Sequence, residues 1–431
     1  MKNSLSLALL IMSISAFSQF QFENRYTGQG GTDAKAIRQT LDSGYIAVGG
    51  QSQPSAIMTI MKLNPMGDTL WTTDFSDPPA FGFNVDQTLD SGYIVTGYAF
   101  DPSSSAILVK IDPSGNLEWS ETYGSISEWG QAVKQMPDSG YIVVGQRVFR
   151  TDKFGTVLWS EATAGGNQAM SMIWSSDGNL VYTQTSSSTN GGTWLTKMDL
   201  SGDPIWTEAF SGIYTHSNCD NNVAETSDGG YILSGQKTND TKGMLMKLDS
   251  DRDIEWTKDF QSGIVGSATS VVESDSGGFL ACGYKVDAIG IHAYLYRTDE
   301  NGNVQWEKEY ENGQAQSIIN TYDGGYAFTG YKENNSGKQK YFVVKIGGAQ
   351  PIATGMIHEK EFKVYPTIST GIFNIRCAGC FGESVSLIDF SGRTIKRTVL
   401  TQQLNLGNLE SGAYYIVNQI TGASNFVEII R

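Results

Sequence analysis

The chain is short of several things at once. Only 4 of its 431 residues are cysteine and only 10 are proline, 3 are histidine, and charged residues make up 17%. So few cysteines do not form a disulfide framework, and a chain of this length can build its core without one. His216, His292 and His358 are too few for a multi-histidine metal centre, so no metal and no cofactor is expected. Long apolar runs are also scarce. The one at residues 5–16 falls short of the roughly 20 residues that a spanning helix needs, and no second run follows it. The 30 basic and 45 acidic residues leave a net charge of −15, which argues against nucleic acid or an anionic membrane surface as a partner. What the chain does have is 39% hydrophobic residues, 11% aromatic residues and 49 glycines. That composition belongs to a folded, turn-rich protein rather than to a disordered one.

The early apolar run reads as an address. Lys2 precedes it, and Ala16 and Ser18 are the small residues that a signal peptidase accepts, so residues 1–18 read as a secretory signal peptide. No cysteine follows to carry a lipid, and no membrane span is expected once the signal is removed. Cys282, in the strand-like Phe279–Tyr284, reads as a small buried residue. Cys377 and Cys380 lack a second pair or a nearby histidine to complete a zinc site. A local disulfide or plain thiols fit them better than redox chemistry does.

One phrase organises most of the chain. Asp42-Ser43-Gly44-Tyr45-Ile46 returns as Asp90-Ser91-Gly92-Tyr93-Ile94 and as Asp138-Ser139-Gly140-Tyr141-Ile142. Variants lead into Leu180, Tyr231, Phe279 and Tyr326, which makes seven copies at a period of roughly 48 residues. A second phrase interleaves with it: a basic residue, then Asp112-Pro113-Ser114-Gly115, then Trp119. Its relatives end in Trp71, Trp159, Trp206, Trp256 and Trp306, and Phe20–Tyr26 supplies a copy without tryptophan. Glycine provides the positive φ that such turns need, and aspartate bonds its own turn backbone. Each unit parses as four short strands, the second rich in β-branched and aromatic residues. Four strands repeated seven times describe a seven-bladed β-propeller over residues 19–348. The repeated tryptophans read as wedges between blades, each able to bury on the order of 150–250 Å². The interleaved pattern resembles the PQQ-like family of β-propellers, whose blades carry a docking tryptophan after an aspartate and a glycine. The resemblance speaks for fold rather than activity.

The repeat stops after Gly348. Residues 349–360 read as a linker, and residues 361–431 carry alternating apolar stretches between glycine turns. They run from Val364-Tyr365-Pro366 through Leu387 and Tyr414-Tyr415-Ile416 to Phe426–Arg431, the pattern of a small antiparallel β-sandwich. The fold class is therefore all-β, a seven-bladed propeller followed by a small C-terminal sandwich. This last stretch resembles the C-terminal sorting domain of type IX secretion substrates in Bacteroidota. It departs from that family at Thr367-Ile368, where Asn-Pro is usual. The resemblance implies the type IX secretion machinery as a partner and a destination outside the cell or on its surface.

Catalytic signals are sparse. The Asp-x-x-Gly-x-x-x-Trp phrase is one residue too long in both spacings for a sialidase Asp-box. There is no adjacent cysteine pair of the kind quinoprotein dehydrogenases place against their cofactor. Asp249–Asp253 lacks the glycine and glutamate of a hand-type calcium loop. In the four-strand parse the Asp-Ser-Gly and Asp-x-x-Gly turns share one face, and the variable loops share the other. Binding residues concentrate on loops held by a rigid scaffold, so the candidates are Phe81, Phe83, Trp129, Asn167 and His216 on the variable face. The expectation is a non-catalytic binding or adhesion module for a polysaccharide or a protein. The alternative is a carbohydrate-active propeller enzyme with two carboxylates on that face.

Overall fold

In the computed structural model, residues 22–430 are described apart from 27–32, 52–54, 101–103, 125, 186–191, 216–219, 239, 241, 261–264, 334–338, 348–361, 366–367, 378–383, 390–393 and 419–423. The expected signal peptide, the linker at 349–360 and His216 therefore lie outside the described residues. Every described sheet in the repeat region is antiparallel, and all but the last follow chain order. Blade one spans Asp33–Phe75, blade two Ala80–Thr122, blade three Gly130–Ala162 and blade four Gln168–Phe210. Blade five spans Ile213–Asp259 and blade six Val265–Glu311. Blade seven takes three strands from Gly313–Ile346, and its outermost strand comes from the other end of the chain, Phe22–Tyr26. That strand pairs antiparallel with the third strand of the blade, Phe22 opposite Lys345 and Tyr26 opposite Tyr341. Blade seven also packs on blade one, as each blade packs on the next, so the seven sheets close a ring.

The turn chemistry repeats as the sequence implies, with one addition. The basic residue before each second turn stands opposite the wedge residue: Lys62 opposite Trp71, Lys110 opposite Trp119 and Lys247 opposite Trp256. Each of these lysines reaches back to the aspartate of its own blade's first turn, as in Lys62–Asp42 at 2.8 Å, Lys110–Asp90 at 3.0 Å and Lys345–Asp323 at 3.0 Å. Burial draws the Lys62 ammonium below its usual range, and the charge of Asp42 opposes that shift. Ser43, Ser91 and Ser139 hold φ near +65° in these turns, a region that suits only short stretches of turn. Blade six is the exception. Its turn reads Ser274-Asp275-Ser276-Gly277-Gly278, so Ser276 occupies the aspartate position, and Arg297 donates to Ser276 Oγ at 3.1 Å instead. Asp275, grouped by sequence with the other turn aspartates, stands one position earlier.

The tryptophans do wedge between blades. Trp71 of blade one lies edge-on to Tyr93 of blade two with ring centres 5.9 Å apart, and its Nε1 donates to the Pro113 carbonyl at 3.2 Å. A Cβ on Gly115 (φ +85°) would stand 2.8 Å from the Trp71 ring, so both the conformation and the close approach require glycine. Phe22 fills the wedge position of blade seven, opposite Lys345 and 6.0 Å from Tyr45 of blade one. Trp306 is 40% exposed. Among the described residues, its neighbour, blade seven, has no second turn to cover it, because the outer strand there is not joined to the third.

A second ring of bonds links the blades at the turn face. The Leu41 N–H donates to Gln87 Oε1, Leu89 N–H to Gln135 Oε1, and Tyr322 N–H to Gln39 Oε1, the last sealing blade seven to blade one. Blade three has Pro137 at the donor position. Proline has no N–H to give, and blade four correspondingly carries the apolar Trp174 where the acceptor would stand.

The C-terminal unit packs two sheets over a core of Val364, Phe373, Ile375, Leu387, Ile416 and Val427 among others. One sheet joins Phe362–Tyr365, Ile372–Cys377 and Gln403–Asn405, and the other joins five strands. The expected antiparallel arrangement holds except at Ile368–Ser369, which pairs parallel with Glu428 and Ile429. That is the position at which the sequence departs from the usual Asn-Pro. Among the described residues no helix is long and apolar enough to cross a membrane. Cys282 is fully buried. The side chain of Cys377 and all of Cys380 lie outside the described residues.

Candidate functional site

Three of the five expected variable-face residues come together. Phe81 and Phe83 open the innermost strand of blade two, where a register shift between Gly82 and Asn84 lets both rings turn to one side. Trp129 precedes the innermost strand of blade three and stacks on Phe83, with centres 6.0 Å apart and planes 15° from parallel. Tyr98, from the end of the second strand of blade two, joins them. It lies 5.1 Å from Trp129, 5.3 Å from Phe83 and 6.1 Å from Phe81, nearly parallel to the last. Phe100 completes the group, edge-on to Tyr98 at 5.0 Å. Phe81 and Phe83 are buried and support the cluster, whereas Tyr98 and Trp129 are half-buried and Phe100 is 48% exposed. Burial raises the Tyr98 hydroxyl above its usual range, and nearby Lys35 opposes that shift. Tyr98 and Phe100 were missed in the sequence. The available signal was the departure from Gly50-Gln51 of blade one to Tyr98-Ala99 at matching places in the repeat.

Asn167 sits elsewhere. It is 7% exposed in blade four, and its Nδ2 donates to the Ala164 carbonyl at 3.2 Å, closing the short turn before the innermost strand. His216 falls outside the described residues.

A second cluster occupies the axis of the ring. In blade five the innermost strand is interrupted, and Asp220-Asn221-Asn222 reaches to the centre where each other blade has one unbroken inner strand. The Asp220 carboxylate is bidentate with Arg38 of blade one, with the second contact at 2.9 Å, and it accepts from Asn84 Nδ2 of blade two at 2.8 Å and from Ser317 Oγ of blade seven at 3.2 Å. Asn221 accepts from the Val271 N–H of blade six at 2.9 Å. Asn222 accepts from Thr183 Oγ1 of blade four at 2.7 Å. Burial alone would raise the Asp220 carboxyl. The Arg38 charge and hydrogen bonds, with Lys134 of blade three and Ser317, outweigh it and hold the group below the usual range. One tripeptide thus bonds five of the other six blades to blade five, and the Lys134 charge acts on it from blade three.

Beyond this plug, towards the turn face, lies a cavity of about 970 Å³ lined by Arg38, Lys134, Trp174 and Tyr322, with Asp389 and Thr394 of the C-terminal unit on its far side. Arg397 of that unit donates to Asp275 Oδ2 at 3.1 Å and to the Tyr322 carbonyl at 3.2 Å. Asp275 is the residue displaced from the turn ladder. Tyr415 lies beside the same mouth, and its hydroxyl is pushed up to about 12 by burial, with Asp86 and Asp90 adding to the shift. Among the described residues, these contacts of the C-terminal unit fall on the turn face.

The chain is similar in fold to several solved structures. Hydrazine synthase from Kuenenia stuttgartiensis superposes with a TM-score of 0.53 at 12% identity over 75% of this chain and 97% of that one. A structure described as YCF48 bound to D1 peptide gives 0.50 at 11% identity over 76% and 96%. The Pan2 WD40 domain of Neurospora crassa gives 0.47 at 14% over 73% and 89%. Identities this low speak for fold alone. No curated protein is matched. Residues 363–430 match the family described as the secretion system C-terminal sorting domain. The chain is a β-propeller that carries a type IX secretion C-terminal sorting domain, and that domain marks it as cargo for export.

Proposed function

We propose that the exported protein is a non-catalytic binding module that holds a polysaccharide on its variable face. The observation that carries this reading is the aromatic group Tyr98, Phe100 and Trp129, half-open to solvent and stiffened from below by Phe81 and Phe83. Aromatic faces present an electron-rich surface, and the C–H-lined face of a pyranose ring stacks on such a surface. Two-torsion aromatic side chains lose little entropy on binding, and here neighbouring rings have already ordered them. Loops held by a rigid ring are where a ligand is met, and the sorting domain sits against the opposite face.

The test is retention of the purified mature chain on a panel of insoluble and arrayed polysaccharides. Trp129→Ala with Phe100→Ala is expected to abolish retention while leaving the circular dichroism spectrum unchanged. Unaltered retention by this double variant would remove the reading. Release of reducing sugar by the unaltered protein would replace it with a carbohydrate-active enzyme.

A further inference from the structure

Blade six holds a cluster that neither the repeat nor the aromatic group explains. His292 opens its third strand and is 3% exposed. Asp287 comes from the loop just before, and Glu309 from the fourth strand. The described ligand atoms of these three side chains lie within 4.8 Å of one another. Asp287 Oδ1 already accepts from the Ile289 N–H at 2.8 Å and the Gly290 N–H at 3.3 Å, and it lies 3.2 Å from His292 Nε2. An ionised carboxylate only accepts hydrogen bonds, so Nε2 is the protonated nitrogen. In the neutral ring Nδ1 is then a bare lone pair.

That nitrogen is buried and has no hydrogen-bond partner, yet Glu309 Oε1 stands 2.8 Å away. Two acceptors so close repel each other unless a second proton on the ring or a cation beside both relieves the contact. Zinc-type ions hold imidazole nitrogen and carboxylate oxygen at about 2.0–2.2 Å. At the tetrahedral angle two such ligands stand about 3.4 Å apart, so the 2.8 Å contact opens by roughly half an ångström as the ion enters.

We infer that His292 Nδ1 and Glu309 Oε1 form a divalent-cation site of the zinc type on blade six, with Asp287 as the orienting carboxylate and water filling the remaining positions. Metal-bound histidines commonly donate their other N–H to a carboxylate in this way. A borderline ion suits one nitrogen and one oxygen donor better than calcium or magnesium, which take oxygen shells. Three scattered histidines argue against a multi-histidine centre, and this site uses one. Lys285 competes with the ion: its ammonium lies 2.5 Å from Glu309 Oε2 and 3.9 Å from Asp287 Oδ2. It holds the other oxygen of Glu309 and leaves Oε1 facing the ring.

The test is calorimetric titration of the mature chain with ZnCl₂, paired with electron paramagnetic resonance of the Cu²⁺-loaded protein. One saturable site is expected, with hyperfine structure from a single imidazole. His292→Gln and Glu309→Gln should each weaken it by tenfold or more, and Asp287→Asn by about 10–100-fold. Lys285→Met should tighten it by removing the competing charge. Absence of a saturable site would overturn the inference. So would a site retained in both His292→Gln and Glu309→Gln, since the ion would then lie elsewhere. Each variant's circular dichroism and melting in metal-free buffer separate lost binding from lost folding.

Discussion

Asp220→Ala is the sharpest perturbation of the ring. The carboxylate is 3% exposed and satisfies Arg38, Asn84 and Ser317 at once. Its removal leaves the Arg38 guanidinium, whose side chain is 13% exposed, without its counter-charge. Breaking a buried pair from one side costs about 3–5 kcal/mol, whereas replacing both partners by apolar groups of similar volume is far milder. Asp220→Leu with Arg38→Met should therefore recover much of the loss. Urea unfolding followed by tryptophan fluorescence suits the question, because all 9 tryptophans lie in the propeller region and none in the C-terminal unit. The pH dependence has a definite sign. Asp220 is held below its unfolded value near 3.9, so its contribution is complete above about pH 4 and fades as pH falls through the lower folded value. The gap between the unaltered protein and Asp220→Ala should be widest near neutrality and narrow on acidification. A loss below about 1 kcal/mol at pH 7, or a double variant no more stable than the single, would refute the idea that the plug holds the ring.

Two further outcomes follow from the blade contacts. Trp71→Ala should lower stability by about 2–4 kcal/mol, because the indole fills the gap against Tyr93 and Gly115. Trp306→Ala, at the same repeat position but 40% exposed, should cost under about half as much in the same urea assay. Arg397→Ala removes an exposed ion pair and should change global stability by no more than about 1 kcal/mol. It should nonetheless speed proteolytic release of the C-terminal unit, read by gel, and an unchanged release rate would count against the docking contact.

The ring was legible because each blade rebuilds the same turn from the same local chemistry. Asp42-Ser43-Gly44 or Asp90-Ser91-Gly92 can be recognised without knowing what lies across the axis. Even the docking residues follow from repeat position, since Trp71 and Phe22 stand opposite equivalent lysines. The plug was not legible. Asp220 and Arg38 lie in different blades, and the only trace was a polar Asp-Asn-Asn where other blades show an apolar strand. The aromatic group was half-legible: Phe81, Phe83 and Trp129 were visible as ring-bearing departures from the repeat, while Tyr98 was hidden inside a regular strand. Asn167 looked like a loop residue free to bind, yet its amide closes its own turn. The blade-six cluster was invisible because Asp287, His292 and Glu309 meet only through strand pairing.

The strand Phe22–Tyr26 is made before the other described strands and used last. Until Lys345 and its neighbours exist, blade seven has no outer edge and the ring cannot shut, so assembly must wait for almost the entire polypeptide. Contacts so distant along the chain slow folding. An open blade also offers its bare edge to any other strand. Two molecules could then exchange their opening strands at high concentration, and anything fused close ahead of Phe22 would sit on the seam where the circle is sewn.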